Sequence, residues 1–203
     1  MKKKLLILLA ILTMTASAAQ ATFITSSSDP ALSGSSLIDF NSQAIGSYAS
    51  LAIGDVTFSG SGPVRVTSDF AGDYNSNGIH LDNDQGNTYT LNFSFNQPVS
   101  AFGFNLGASD VGDWVLTAFA GGTPLDSFLL PATWYSNSGD FFGIAGNGIT
   151  SATLSSSSYD YVLLDNFRYQ TGGSEPVPEP STIFLLGAGL AGIGLIRRKA
   201  AKA

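Results

Sequence analysis

In the stretch DYNSNGIHLDND, Asp73, Asn75, Asn77 and Gly78 follow the D-x-[DN]-x-[DN]-G spacing of a calcium loop, with Asp84 at the twelfth position. Oxygens at alternate positions can converge on one hard cation while the glycine makes the sharp turn and the last carboxylate closes the shell. Here aspartate replaces the usual closing glutamate and only two ligands are charged, so the same residues also describe an ordinary Asx-turn loop. Asp165 is the other acid that needs explaining. In DYVLLDNFRY it alternates onto the face of Tyr161, Leu163, Phe167 and Tyr169, which points it inward in a regular strand. A buried carboxylate needs hydrogen bonds or a cation. Pairing of the first and last strands would bring Asp39 of LIDF near Asp165 and Asn166; the alternatives are a β-bulge that turns Asp165 out to solvent, or backbone amides that satisfy it.

Aromatic faces are the second kind of chemistry available, because they stack on the apolar faces of pyranose rings while nearby polar groups bond the hydroxyls. Trp114, beside Asp113, and Trp134 with Tyr135 in PATWYSNSGD are the candidates, and core packing is their alternative role. Catalysis has less to draw on. His80 is the one histidine, which excludes a His-rich metal site, and no G-x-S-x-G elbow accompanies it. Thirteen aspartates offer many carboxylate pairs and single out none for glycoside hydrolysis. The expectation is a non-enzymatic protein that binds polysaccharide, with a passive structural matrix or coat protein as the first alternative and a glycan hydrolase as the second.

These residues sit on short alternating segments. TYTLNFSF, from residue 88, and VSAFGFNL, from residue 99, flank Asn96-Gln97-Pro98 and read as an antiparallel hairpin. WVLTAFA and PLDSFLL flank Gly121-Gly122 and read as another. LIDF, DVTFSG, PVRVTS, FFGI, ITSATLS and YVLLDNFRY supply further strands, and no amphipathic helix interrupts them. The fold class this predicts is all-β, a single antiparallel β-sandwich of jelly-roll type over residues 37–171, preceded by a loosely ordered leader at 22–36.

The chain of 203 residues has room for one such domain and little more. Its net charge of −6 is unevenly laid out: every lysine lies near a terminus, and between Thr22 and Gly172 only Arg65 and Arg168 face the thirteen aspartates. Phosphate backbones repel such a body, which excludes nucleic acid as a partner. There is no cysteine, hence no disulfide framework. Residues 1–21 combine a basic start, the apolar stretch Leu5 to Leu12 and an A-x-A site, the pattern of a secretory signal cut after Ala21 or Ala18.

At the other end, a linker (172–180) carries the alternate prolines of EPVPEP, which keep the backbone extended and accessible. Residues 181–203 then supply an apolar helix rich in glycine and a basic tail. The uncharged run from Ile183 to Ile196 is about 21 Å as a helix, short for a bilayer core of about 30 Å, and its small residues suit close packing with a membrane partner. Arg197, Arg198 and Lys199 hold the end on the cytoplasmic side.

Val177, Pro178, Glu179, Pro180 and Ser181, followed by that helix and basic stop, resemble the PEP-CTERM sorting signal of Gram-negative bacteria. The resemblance implies handling by the secretion machinery and a membrane-embedded exosortase. It further implies transient anchoring through the C-terminal helix, then release to the cell surface or an extracellular polysaccharide matrix, as in biofilms. The pieces FNQPVSAFGFNL, GIAGNGITSATL and LDNFRY are similar to the exported sandwich domains that accompany this tail, and to carbohydrate-binding jelly-rolls. That likeness implies extracellular polysaccharide as a partner and calcium, the one cofactor suggested, at Asp39 and Asp165.

Overall fold

The computed structural model describes residues 21–133 and 140–172. Ten strands follow in chain order: β1 (Thr22–Ile24), β2 (Ser36–Ile38), β3 (Gly46–Ile53), β4 (Val56–Thr67), β5 (His80–Asp82), β6 (Thr90–Gly107), β7 (Val115–Ala120), β8 (Thr123–Leu129), β9 (Phe141–Ser155) and β10 (Leu163–Thr171). Every pairing is antiparallel, in the order β2-β10-β5-β4-β6-β9-β7-β8, with β1 added on β9 and β3 on β4. Because β10 also pairs with β6, the strands β10, β5, β4 and β6 close a hydrogen-bonded circuit around the larger of two buried apolar clusters. The all-β class expected from the alternation is the class observed.

One expected hairpin is not there. Asn96, Gln97 and Pro98 make no reversal, and the two flanking segments are halves of the single 18-residue strand β6. Its first half pairs with β4, its second with β10, and both halves pair with β9. Register shifts between Ser94 and Val99 and between Val99 and Ala101 mark the crossing. Phe95 and Phe102 are an odd number of residues apart, so a regular strand would point them to opposite faces. The irregularity resets the alternation, and Leu91, Phe93, Phe102, Phe104 and Leu106 all reach the same core. Pro98 is tolerated there because a bulge does not need its missing donor. Locally the residues of a bulge and a turn are alike, which is why the proline misleads.

By contrast, β7 and β8 form the expected hairpin, and Gly121 and Gly122, with φ of 55° and 85°, supply the two left-handed residues of its tight turn. The segment expected as a loose leader is instead built into the fold. β1 pairs with β9, Asp29 caps a 3-10 turn at Pro30–Leu32, and Ile24 and Leu32 are buried against Ala101 and Phe141. Two large apolar side chains there outweigh the serine-rich composition that suggested disorder.

Phe167 of β10 stands at the centre of the core. Its ring lies 5.1 Å from Phe58 and 5.2 Å from Phe93, both edge-on, and is stacked on Phe104 at 5.9 Å. These rings belong to β4, β6 and β10, so the aromatic cluster joins three of the four members of the closed circuit from inside.

Candidate functional site

Arg65 sits in PVRVT between Val64 and Val66, both fully buried, so alternation directs it to the opposite face of β4. Register places it directly across from Asp82 of β5. Its Nε donates to both Asp82 oxygens at 3.2 and 2.9 Å, Nη2 bonds the same carboxylate, and Nη1 reaches Asp69 at 2.9 Å. The Tyr161 hydroxyl donates to Asp82 Oδ2 at 2.8 Å and lies 3.1 Å from Arg65 Nη2. Asp82 is wholly buried and the Arg65 side chain 17 % exposed, whereas the Asp69 side chain is 53 % exposed and forms the outer rim. The hydrogen bond to Asp82 holds the guanidinium in its charged form. Burial, and then the charge of Asp82, pushes the Tyr161 hydroxyl well above its ordinary range.

Over this network lies the loop joining β4 to β5. Phe70 is 53 % exposed and meets Tyr74 at 5.8 Å and Tyr161 at 6.0 Å, each edge-on. The backbone that displays these rings is strained: Phe70, Tyr74 and Asn75 have φ of 63°, 51° and 62°, a region that side chains of this size rarely adopt. Specific bonds hold them there. Asp73 N–H and Ser76 Oγ donate to the Phe70 carbonyl, and Asn75 Nδ2 donates to Leu106 O at 2.9 Å. Gly107 makes the crossing possible, since a Cβ there would stand 1.5 Å from the Tyr74 carbonyl oxygen. The result is an aromatic surface beside a hydrogen-bonding ion network. Sequence reasoning passed over Arg65, Asp69, Phe70, Tyr74 and Asp82; the available signal was Arg65, one of two cations in the acidic body.

The calcium-loop residues do not assemble as their spacing suggests. β5 occupies the second half of the would-be loop, and its three extended residues carry Asp84 about 10 Å onward from the turn at Asn77 and Gly78. Asp73 contributes its carbonyl to Ser76, Asn75 is bonded to Leu106 O, and Asn77 N–H donates to Asp165 at 2.7 Å. Among the described residues no group of three or more His, Asp or Glu side chains is placed to hold a metal ion.

Asp165 is buried, as its alternation requires. Asn77 N–H and Asn166 N–H each donate to it at 2.7 Å, and Asn166, at φ 51°, sits in a bulge of β10 against β6. Backbone amides therefore satisfy the carboxylate, and the bulge that follows does not turn it out to solvent. β2 does pair with β10, with Ile38 opposite Phe167, and Asp39 follows directly. Burial pushes the Asp165 carboxyl up to about 6; the two amides oppose that shift and the charge of Asp39 adds to it.

His80 is fully buried, its Nδ1 3.1 Å from Gly78 O and its Nε2 without a partner. Burial lowers its pKa, which keeps it neutral. Trp114 is also fully buried, and its Nε1 donates to buried Asp160 at 2.8 Å. The Trp114 ring thus offers no face to a sugar; its role is core packing, because a buried indole with a carboxylate acceptor satisfies both groups. Trp134, Tyr135 and the C-terminal residues 177–181 and 197–199 lie outside the described residues.

The family model of the PEP-CTERM protein-sorting motif matches residues 176–199, a span that includes both the proline-rich segment and the basic stop. No curated protein matches the chain. The chain carries a sorting signal for export to the cell envelope and processing by an exosortase.

Proposed function

We propose that the processed protein resides at the cell surface or in the extracellular matrix and that its β-domain binds polysaccharide without catalysis. The observation that carries this reading is the exposed Phe70 ring, held by strained backbone with Tyr74 and Tyr161 beside the Arg65, Asp69 and Asp82 network. Strain concentrated at an exposed aromatic is the mark of a surface kept for contact rather than for stability. Rings supply the stacking faces and the Asp69 rim supplies hydrogen-bond acceptors, the combination by which proteins hold sugars.

Among the described residues every core residue lies between Ala21 and Tyr169, so fragment 21–172 contains that core and suits a binding test. Calorimetric titration with the host's extracellular polysaccharide should give saturable heat that Phe70→Ala removes. Saturable binding untouched by that change would place the site elsewhere, and no binding at all would leave a passive matrix component. Turnover of the polysaccharide by the purified fragment would replace this reading with a hydrolase. Calcium belongs to the proposal at Asp39 and Asp165, where a cation would relieve the repulsion between two carboxylates. Added calcium should then raise the melting temperature at pH 7, and an unchanged melting temperature would remove calcium from the account.

A further inference from the structure

We infer that the Phe70 surface prefers a glycan bearing free amino groups, such as a deacetylated hexosamine chain, over one bearing carboxylates. This rests on the glycan-binding reading above and adds the class of sugar. The only cation in the network is Arg65, and its donors are committed: Nε and Nη2 to Asp82, Nη2 also close to Tyr161, and Nη1 to Asp69. A uronate carboxylate arriving at the rings would meet no unengaged guanidinium edge. It would meet the exposed Asp69 carboxylate first, and then Asp73, which lies in the same turn as Phe70 and is also exposed. Asp82 balances the one positive charge from below, so Asp69 and Asp73 are in excess. His80 is neutral and contributes nothing to offset them.

An ammonium group fits both halves of this surface. It can pair with Asp69 at the rim and lie over an aromatic face, whose quadrupole attracts cations. A carboxylate gains neither contact and is repelled by the excess acid, an effect that shapes choice of partner more than total affinity.

Three probes test the inference against fragment 21–172: chitosan oligosaccharides, the same oligosaccharides fully N-acetylated, and oligogalacturonate. The titrations are run at a pH low enough to protonate hexosamine amines, with Phe70→Gly and Asp69→Asn alongside the parent. Chitosan oligosaccharides should bind about tenfold tighter than the acetylated form, the combined worth of one exposed ion pair and one exposed cation–π contact. Asp69→Asn should weaken chitosan binding more than binding of the acetylated form and so remove the ion-pair share of that difference, and Phe70→Gly should abolish binding of both. Oligogalacturonate bound as tightly as chitosan would overturn the amino-sugar preference and leave glycan binding standing. Chitosan binding that survives Phe70→Gly would reduce the preference to general attraction by an acidic protein and also overturn it. Failure of all three probes while the host's polysaccharide still binds would sink the preference alone, and failure of that polysaccharide as well would remove the glycan reading with it.

Discussion

Replacing Phe70 tests whether its exposure is enforced by the backbone. At φ 63° a side chain other than glycine carries roughly 1–2 kcal/mol of steric cost, so the folded state holds that much unfavourable energy at this one position. Phe70→Ala removes the ring and keeps the strain. Phe70→Gly removes both, and it adds backbone freedom to the unfolded chain worth up to about 1 kcal/mol in the opposite direction. The edge contacts with Tyr74 and Tyr161 are lost in both variants, so they cancel in the comparison. The glycine variant should therefore be the more stable of the two by about 1 kcal/mol, the reverse of the order found within regular helices and strands. Urea unfolding of the two variants under identical conditions measures this difference directly. A glycine variant less stable than the alanine variant would refute the claim that the Phe70 backbone is strained, and with it the main structural support for a contact surface there.

Phe167→Ala removes the ring at the centre of the aromatic cluster and should cost about 3–5 kcal/mol, seen as a lower urea midpoint. Asp165 gives a pH test whose sign follows from its raised pKa. The folded protein holds the proton more tightly than the unfolded chain, so the stabilising effect is complete below about pH 4 and is lost as pH rises through about 6. That difference corresponds to ~3 kcal/mol, and Asp165→Asn should remove it. His80, with its lowered pKa, acts in the opposite sense as pH falls below its ordinary range, so the comparison between parent and Asp165→Asn profiles isolates the carboxyl. In the host, replacing Arg197, Arg198 and Lys199 by glutamine should leave unprocessed precursor, detected by its greater length on immunoblots. Normal processing of that variant would show that the basic stop is dispensable.

The all-β class, the hairpin joining β7 to β8 and the sorting signal are written in short stretches of chain. Alternation decides which side chains can face a core, Gly121-Gly122 satisfies a turn by itself, and the order of proline motif, apolar run and basic stop is read as a linear string. The inward position of Asp165 was equally legible, because period-two alternation survives up to the bulge that ends it. What satisfies that carboxylate was not, since one of its donors, Asn77, is 88 residues away. Trp114 finds Asp160 at a separation of 46 residues, and Arg65 finds Asp82 across 17 and Tyr161 across 96. The continuity of β6 depends on β4, β9 and β10 lying on either side of Pro98 to receive its two halves. Composition and spacing specify what each residue can do, but burial and partnership depend on which distant strands the closed circuit brings together. The Phe70 surface belongs to that second kind: an exposed ring and a loop in left-handed conformation have no periodic signature, and Gly107 opens the path for the loop from another strand entirely.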